Sequence, residues 1–115
     1  MTRGQRLVQS MALKKSFCDA HERRAYLRMA EVASRIVDDP SLVERGRGFL
    51  NRFVRADPHQ RTAYDAWVEL LGCEPEQIAR ELLADTAKGE ALRDSAPVFV
   101  VIPPERVKEI WAHAG

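Results

Sequence analysis

Between Asp19 and Trp111 the apolar residues recur three and four apart, in runs closed off by proline, glycine or acid. That is the spacing of helices with one buried face. Asp19-Ala20-His21-Glu22 has the form of a capping box, and the helix it opens puts Tyr26, Met29, Ala30, Ala33, Ile36 and Val37 on one stripe. Asp38-Asp39-Pro40 ends that helix, because the residue before a proline avoids the α region. Asp39 and Pro40 then serve as N-cap and first residue of a second helix. Asp57-Pro58-His59-Gln60 repeats the device for a third, which turns Ala63, Tyr64, Trp67, Leu70 and Leu71 inward and stops at Gly72. A fourth begins near Pro75 with Ile78, Ala79, Leu82 and Leu83 inward. Thr86 caps a short fifth through Leu92, and a last one carries Val107, Ile110 and Trp111. The pattern predicts an all-α fold, a compact bundle of five to six short helices in a single domain spanning residues 19–115.

Two segments stand outside the pattern. Residues 1–18 have weak periodicity and read as a basic N-terminal arm, either mobile or a short helix that orders on a partner. Pro97-Val98-Phe99-Val100-Val101-Ile102-Pro103-Pro104 is a run of five apolar, mostly β-branched residues between prolines, and reads as extended. No second strand is evident for it to pair with, and its backbone polar groups need partners. Three arrangements are open: a tail packed over the helices, strand addition to a partner's sheet edge, or pairing with a second copy in a homodimer. In each case Val98, Phe99, Val100, Val101 and Ile102 are where partner contact is expected first. Arg93 before the segment and Arg106 and Trp111 in the helix after it are expected to support that contact.

Arg45-Gly46-Arg47-Gly48 raises a separate question, since alternating Arg and Gly is common in RNA-binding tails. At about 100° per residue, Leu42, Val43, Phe49, Leu50, Phe53 and Val54 gather on one face of the second helix, with Gly46 near its centre. Gly46 there lets another helix approach closely, so the motif reads as a packing feature. Arg45, Gly48, Arg52 and Arg55 fall on the opposite side. On the first helix Arg24, Arg28 and Arg35 also share a side, with Leu27 among them. Leu27, Arg28, Arg35, Arg45, Arg52 and Arg55 are therefore either a solvated polar face or a charged docking face for an acidic partner.

Charge sharpens that choice. The net charge is +1, but residues 1–61 hold 13 Lys and Arg against 7 Asp and Glu, a balance of +6. Residues 62–115 hold 5 against 10, a balance of −5. Either the halves neutralise each other in the fold or the first half meets an acidic partner. No apolar run approaches the roughly 18 residues of a membrane span, and no signal peptide is apparent. Cys18 and Cys73 are isolated in sequence, which suits a reduced, cytoplasmic protein. Candidate chemistry is sparse. His21-Glu22-Arg23-Arg24-Ala25 starts like a zinc helix but has Ala25 where the second histidine must stand. Cys18 and His21 make only two ligands, and His59, Cys73 and His113 stand alone. No phosphate-cradling glycine loop or nucleophile turn occurs. Neither a metal, a cofactor nor catalysis is expected.

Leu82, Leu83, Asp85, Gly89, Leu92, Arg93, Ser95 and Pro97, followed by Glu105, Arg106 and Ile110, form a run that resembles small helical antitoxins of bacterial toxin–antitoxin pairs. Asp39-Pro40-Ser41-Leu42-Val43 with Leu50, Arg52, Phe53 and Trp67 is similar too, so the resemblance covers roughly residues 22–111. The family's Pro-Phe-x-Gly turn after Ser-x-Pro is replaced here by an apolar run without glycine. Gly46 and Gly48 also stand where alanine or a larger residue is usual. The resemblance implies a protein partner, a toxin of the AbiEii-like nucleotidyltransferase class, neutralised by contact and without catalysis by this chain. The alternative is a nucleic-acid-binding transcriptional regulator whose Arg45, Arg52, Arg55 and Arg61 contact phosphates.

Overall fold

In a computed structural model that describes residues 1–113, the His113 side chain excepted, the regular secondary structure is all helical, with no strand among the described residues. Seven α-helices are described: α1 (Arg3–Ser10), α2 (Ala20–Asp38), α3 (Ser41–Phe49), α4 (Arg61–Leu71), α5 (Pro75–Leu83), α6 (Ala87–Asp94) and α7 (Pro104–His113). A π-helical turn (Leu50–Val54) continues α3, and a 3-10 turn (Pro58–Gln60) precedes α4. The number of helices exceeds the expected five to six, chiefly because residues 3–10 form a helix of their own. Thr2 and Gln5 make a reciprocal capping box there, at 3.1 and 2.9 Å. Gly4 lays α1 directly on α2: a Cβ at Gly4 would stand 2.1 Å from the Ser34 carbonyl oxygen. The Gly4 N–H donates to Asp38 Oδ1 at 2.8 Å.

Helix α2 is the axis of the bundle, packing on α5 with α1 and α7 at its other sides. Its stripe of Tyr26, Ala30, Ala33, Ile36 and Val37 is buried as the periodicity predicts. Small residues in the stripe let α5 come close enough to bury Ile78, Ala79, Leu82 and Leu83 completely. The Tyr26 hydroxyl donates to the Leu83 carbonyl at 2.6 Å and accepts from the Lys14 N–H at 3.1 Å, so its polar end is satisfied within the core. The capping box at Asp19 is half formed. Asp19 accepts from Glu22 N–H, but Glu22 reaches back to the Cys18 N–H and to Lys14.

The two glycines of the Arg-Gly-Arg-Gly motif separate cleanly. A Cβ at Gly46 would lie 2.9 Å from both Leu71 Cδ1 and Phe99 Cε2, so α4 and the C-terminal segment press against bare backbone. Around Gly48 a Cβ would meet nothing within 4 Å. Beyond it the helix widens, with Arg55 N–H donating to the Leu50 carbonyl five residues back at 2.8 Å. A π turn holds more residues than an α turn, so side chains past Leu50 lag behind the α-helical register. Leu50 stays buried, but Phe53, expected on the core face, is 62% exposed and rests against Phe49 with ring centroids 4.9 Å apart.

Trp67 of α4 fills the centre of the other layer. Its Nε1 donates to the Leu92 carbonyl at 3.2 Å, and its ring meets Phe99 edge-on at 6.3 Å. Helix α4 ends at Gly72 in a right-handed conformation (φ −81°), not the left-handed one expected of a terminal glycine. Residues 98–102 lie over the helices and form no strand. Phe99, Val100 and Ile102 point in while Val98 and Val101 point out. Two adjacent inward residues break the period of two that a strand requires, and the chain bends at Val100 to place them.

Substituting the two glycines should give opposite results. Gly48→Ala should raise stability by about 1 kcal/mol, the helix-propensity difference with no steric cost. Gly46→Ala should lower it by about 1–3 kcal/mol through overpacking against Leu71 and Phe99. Urea titrations of both variants check this.

Candidate partner-binding surface

The extended segment is fixed from below and open above. Phe99 is held between Gly46 and Trp67, and Val100 and Ile102 are also buried. This anchoring leaves Val98 65% and Val101 77% exposed, the latter the most exposed large apolar side chain in the described structure. The backbone of residues 98–102 makes no backbone hydrogen bond among the described residues. Hollows flank the segment along its length. One of ≈ 400 Å³ lies between Val98, the Phe49–Val54 stretch and α4. One of ≈ 170 Å³ lies between Val98, Val100 and Arg28 of α2. The third, of ≈ 460 Å³, has Val100 and Val101 on one wall and Arg35 and Arg45 on the other.

Residues read separately from the sequence thus come together. Arg28, Arg35 and Arg45 of the charged face line the same hollows as Val98, Val100 and Val101 of the apolar run. Arg28 and Arg45 are exposed and have no carboxylate partner among the described residues. Arg35 is tied to Glu31 at 2.7 Å. Arg52 sits in the π turn and Arg55 directly after it, and both are exposed. Leu27, Arg106 and Trp111 lie apart. Leu27 and Arg106 line a hollow of ≈ 360 Å³ between α1, α2 and α7, and Trp111 is half-exposed further along α7.

Two arginines are committed to the fold. Arg93 donates to the Leu82 and Ala84 carbonyls at 3.0 and 2.8 Å, closing the C-terminus of α5, and its guanidinium lies 4.9 Å from the Tyr26 ring centroid. Arg106 donates to Glu31 at 2.9 Å and to Glu109 at 2.8 Å, and Glu109 and then Glu31 push its pKa up. Glu31 is the residue that sequence reading missed: with only 11% of its side chain exposed, it joins Arg35 of its own helix to Arg106 of α7. The i,i+4 spacing of Glu31 and Arg35 is visible in the sequence, whereas the bond to Arg106 across 75 positions is not. Phe53 was hidden for a different reason, since its exposure follows from the π turn.

Ion pairing between the oppositely charged halves is slight. Among the described residues only Arg3–Glu76 and Arg61–Asp65 join a base of residues 1–61 to an acid of residues 62–115. Most of the arginine excess therefore faces solvent. The described residues hold no cluster of three or more His, Cys, Asp or Glu that could grip a metal, and no helix long and apolar enough to cross a membrane. Cys18 and Cys73 are free thiols. Comparison with known protein families, characterised proteins and solved structures finds no match.

The Lys14–Glu22 pair behind Tyr26 makes a pH prediction. Lys14 Nζ at 2.6 Å and the Cys18 N–H at 2.9 Å hold the Glu22 carboxyl at about 2, below its ordinary 4.5. A depressed carboxylate stabilises the fold above its unfolded pKa, and that contribution fades as pH falls through the folded value. The difference in melting temperature between the native chain and Glu22→Gln should therefore be constant above pH 4.5 and shrink between pH 4.5 and about 2. Thermal melts across that window measure it.

Proposed function

We propose that this chain is an antitoxin-like protein that binds and neutralises a cognate toxin by direct contact and carries no catalysis of its own. The observation that supports this most is the pair Val98 and Val101, exposed to water on a segment whose neighbours Phe99, Val100 and Ile102 are locked into the core. Exposed apolar side chains held on a fixed backbone lose little conformational freedom on binding, which favours association. Arg28 and Arg45 beside them suit an acidic surface around the partner's contact. The toxin's class comes from the resemblance of residues 22–111: an AbiEii-like nucleotidyltransferase. The bend at Val100 favours contact through side chains over continuous strand addition.

The test is co-expression with an AbiEii-like nucleotidyltransferase toxin, scored by co-purification and by rescue of growth. Val101→Asp places a charge at the centre of the contact on a side chain already in solvent. It should weaken the complex by about 2 kcal/mol or more, roughly 30-fold in Kd, and abolish rescue, with an unchanged melting temperature. Full binding and rescue by both Val98→Asp and Val101→Asp would place the contact elsewhere.

A further inference from the structure

The π turn carries a second surface that shares Arg45 with the toxin reading and adds Arg52, Phe53 and Arg55. Arg45, Arg52 and Arg55 lie on the outward side of α3 and its continuation, are exposed, and pair with no carboxylate among the described residues. Arg45 and Arg52 are seven residues apart, about 10 Å along a helix axis. Between them the surface is Gly48, where a side chain would meet nothing within 4 Å. Glycine weakens a helix, and no close packing at this position requires it. What it does leave is a notch of bare backbone between two guanidinium groups. Next to Arg52 the π turn presents Phe53, 62% exposed, with the Arg52 guanidinium 5.5 Å from its ring centroid. Of the nearby acids, Glu44 pairs with Arg47 at 2.7 Å and Asp57 accepts the His59 N–H at 2.9 Å, while Asp94, which lines the same hollow as Phe53, pairs with no base among the described residues.

We infer that this strip binds single-stranded nucleic acid, with RNA phosphates at Arg45, Arg52 and Arg55 and one unpaired base stacked on Phe53. A flat aromatic ring in solvent flanked by unpaired arginines is the pairing of stacking platform and positive track that single strands require. A duplex offers arginines its phosphates but no free base face to Phe53. The inference shares Arg45 with the toxin reading but rests on Phe53 and the π turn and not on Val98 or Val101, so either can fail alone.

The test is fluorescence anisotropy of the full chain with a labelled oligouridylate of about 12 nucleotides, at increasing salt, beside an RNA duplex of equal length. Expected is binding that prefers the single strand and weakens with salt. Phe53→Ala should raise Kd roughly tenfold. Arg52→Ala with Arg55→Ala should reduce the slope of log K against log salt by about 1.4, two phosphates' worth. Gly48→Glu, which fills open space with a carboxylate, should also weaken binding roughly tenfold, by charge opposite phosphate, while melts confirm that all variants fold. Absence of binding at low salt overturns the inference. So does equal affinity for the duplex with no effect of Phe53→Ala, which would be attraction to a polyanion alone. Val101→Asp should leave RNA affinity unchanged; if it alone removes RNA binding, the strip at the π turn is not the site.

Discussion

Much of the C-terminal half depends on Gly46 having no side chain. Leu71 and Phe99 both close to within 2.9 Å of where its Cβ would be, so α3, α4 and the extended segment meet at one point of bare backbone. Phe99 lodged there stands edge-on to Trp67, whose Nε1 reaches the carbonyl of Leu92 at the end of α6. A methyl group at residue 46 would push on all of these together, because close-packed interiors pass volume changes to their neighbours. The same contact decides what faces outward. Once Phe99 and Val100 are both drawn in, the bend that allows it turns Val98 and Val101 to solvent. The exposed valines are a geometric consequence of the core.

This explains which parts of the molecule were legible in the sequence. Helices α2 to α6 announce themselves because local rules set them: Asp19, Thr86 and the prolines at residues 40, 58 and 75 act within one turn of where they stand. Gly46 could be placed because a glycine central to an apolar stripe is also a local pattern. Phe53 could not, since an ideal helix puts it inward and only the added residue of the π turn moves it out. The bend at Val100 was equally invisible. Five apolar residues between prolines fit a strand until the gap beside Gly46 is known to take Phe99. Helix α1 stayed open between a mobile arm and a short helix, because its Thr2–Gln5 cap is local but its docking rests on Gly4 meeting Ser34, a long-range fit.

Electrostatics follow the same division. Glu31 stands on the polar face of α2, yet α7 crosses that face and covers it, bringing Arg106 to complete a bridge with Arg35. A largely buried carboxylate held by two guanidinium groups fixes the position of α7 more than it adds stability, since desolvation offsets much of the attraction. Arg93 is likewise drawn in to the end of α5. With these removed from the solvent-facing set, the remaining arginines sort by location. Arg28 and Arg45 border the extended segment, and Arg52 and Arg55 stand on the π turn.

The sign imbalance between the halves of the chain therefore survives folding in a structured form. Had the halves neutralised each other, bases of the first half would be paired with acids of the second, and among the described residues only Arg3–Glu76 and Arg61–Asp65 do so. Surface arginines left without acids are soluble and harmless singly, but in a row they attract an acidic partner or a polyanion over distances near the Debye length, about 8–10 Å. Arg45 stands where the two surfaces meet, across a hollow from Val101 and one notch of open backbone from Arg52. A protein seated on Val98 and Val101 and a nucleic acid seated on Phe53 would both draw on it, so their binding should be coupled through that one side chain.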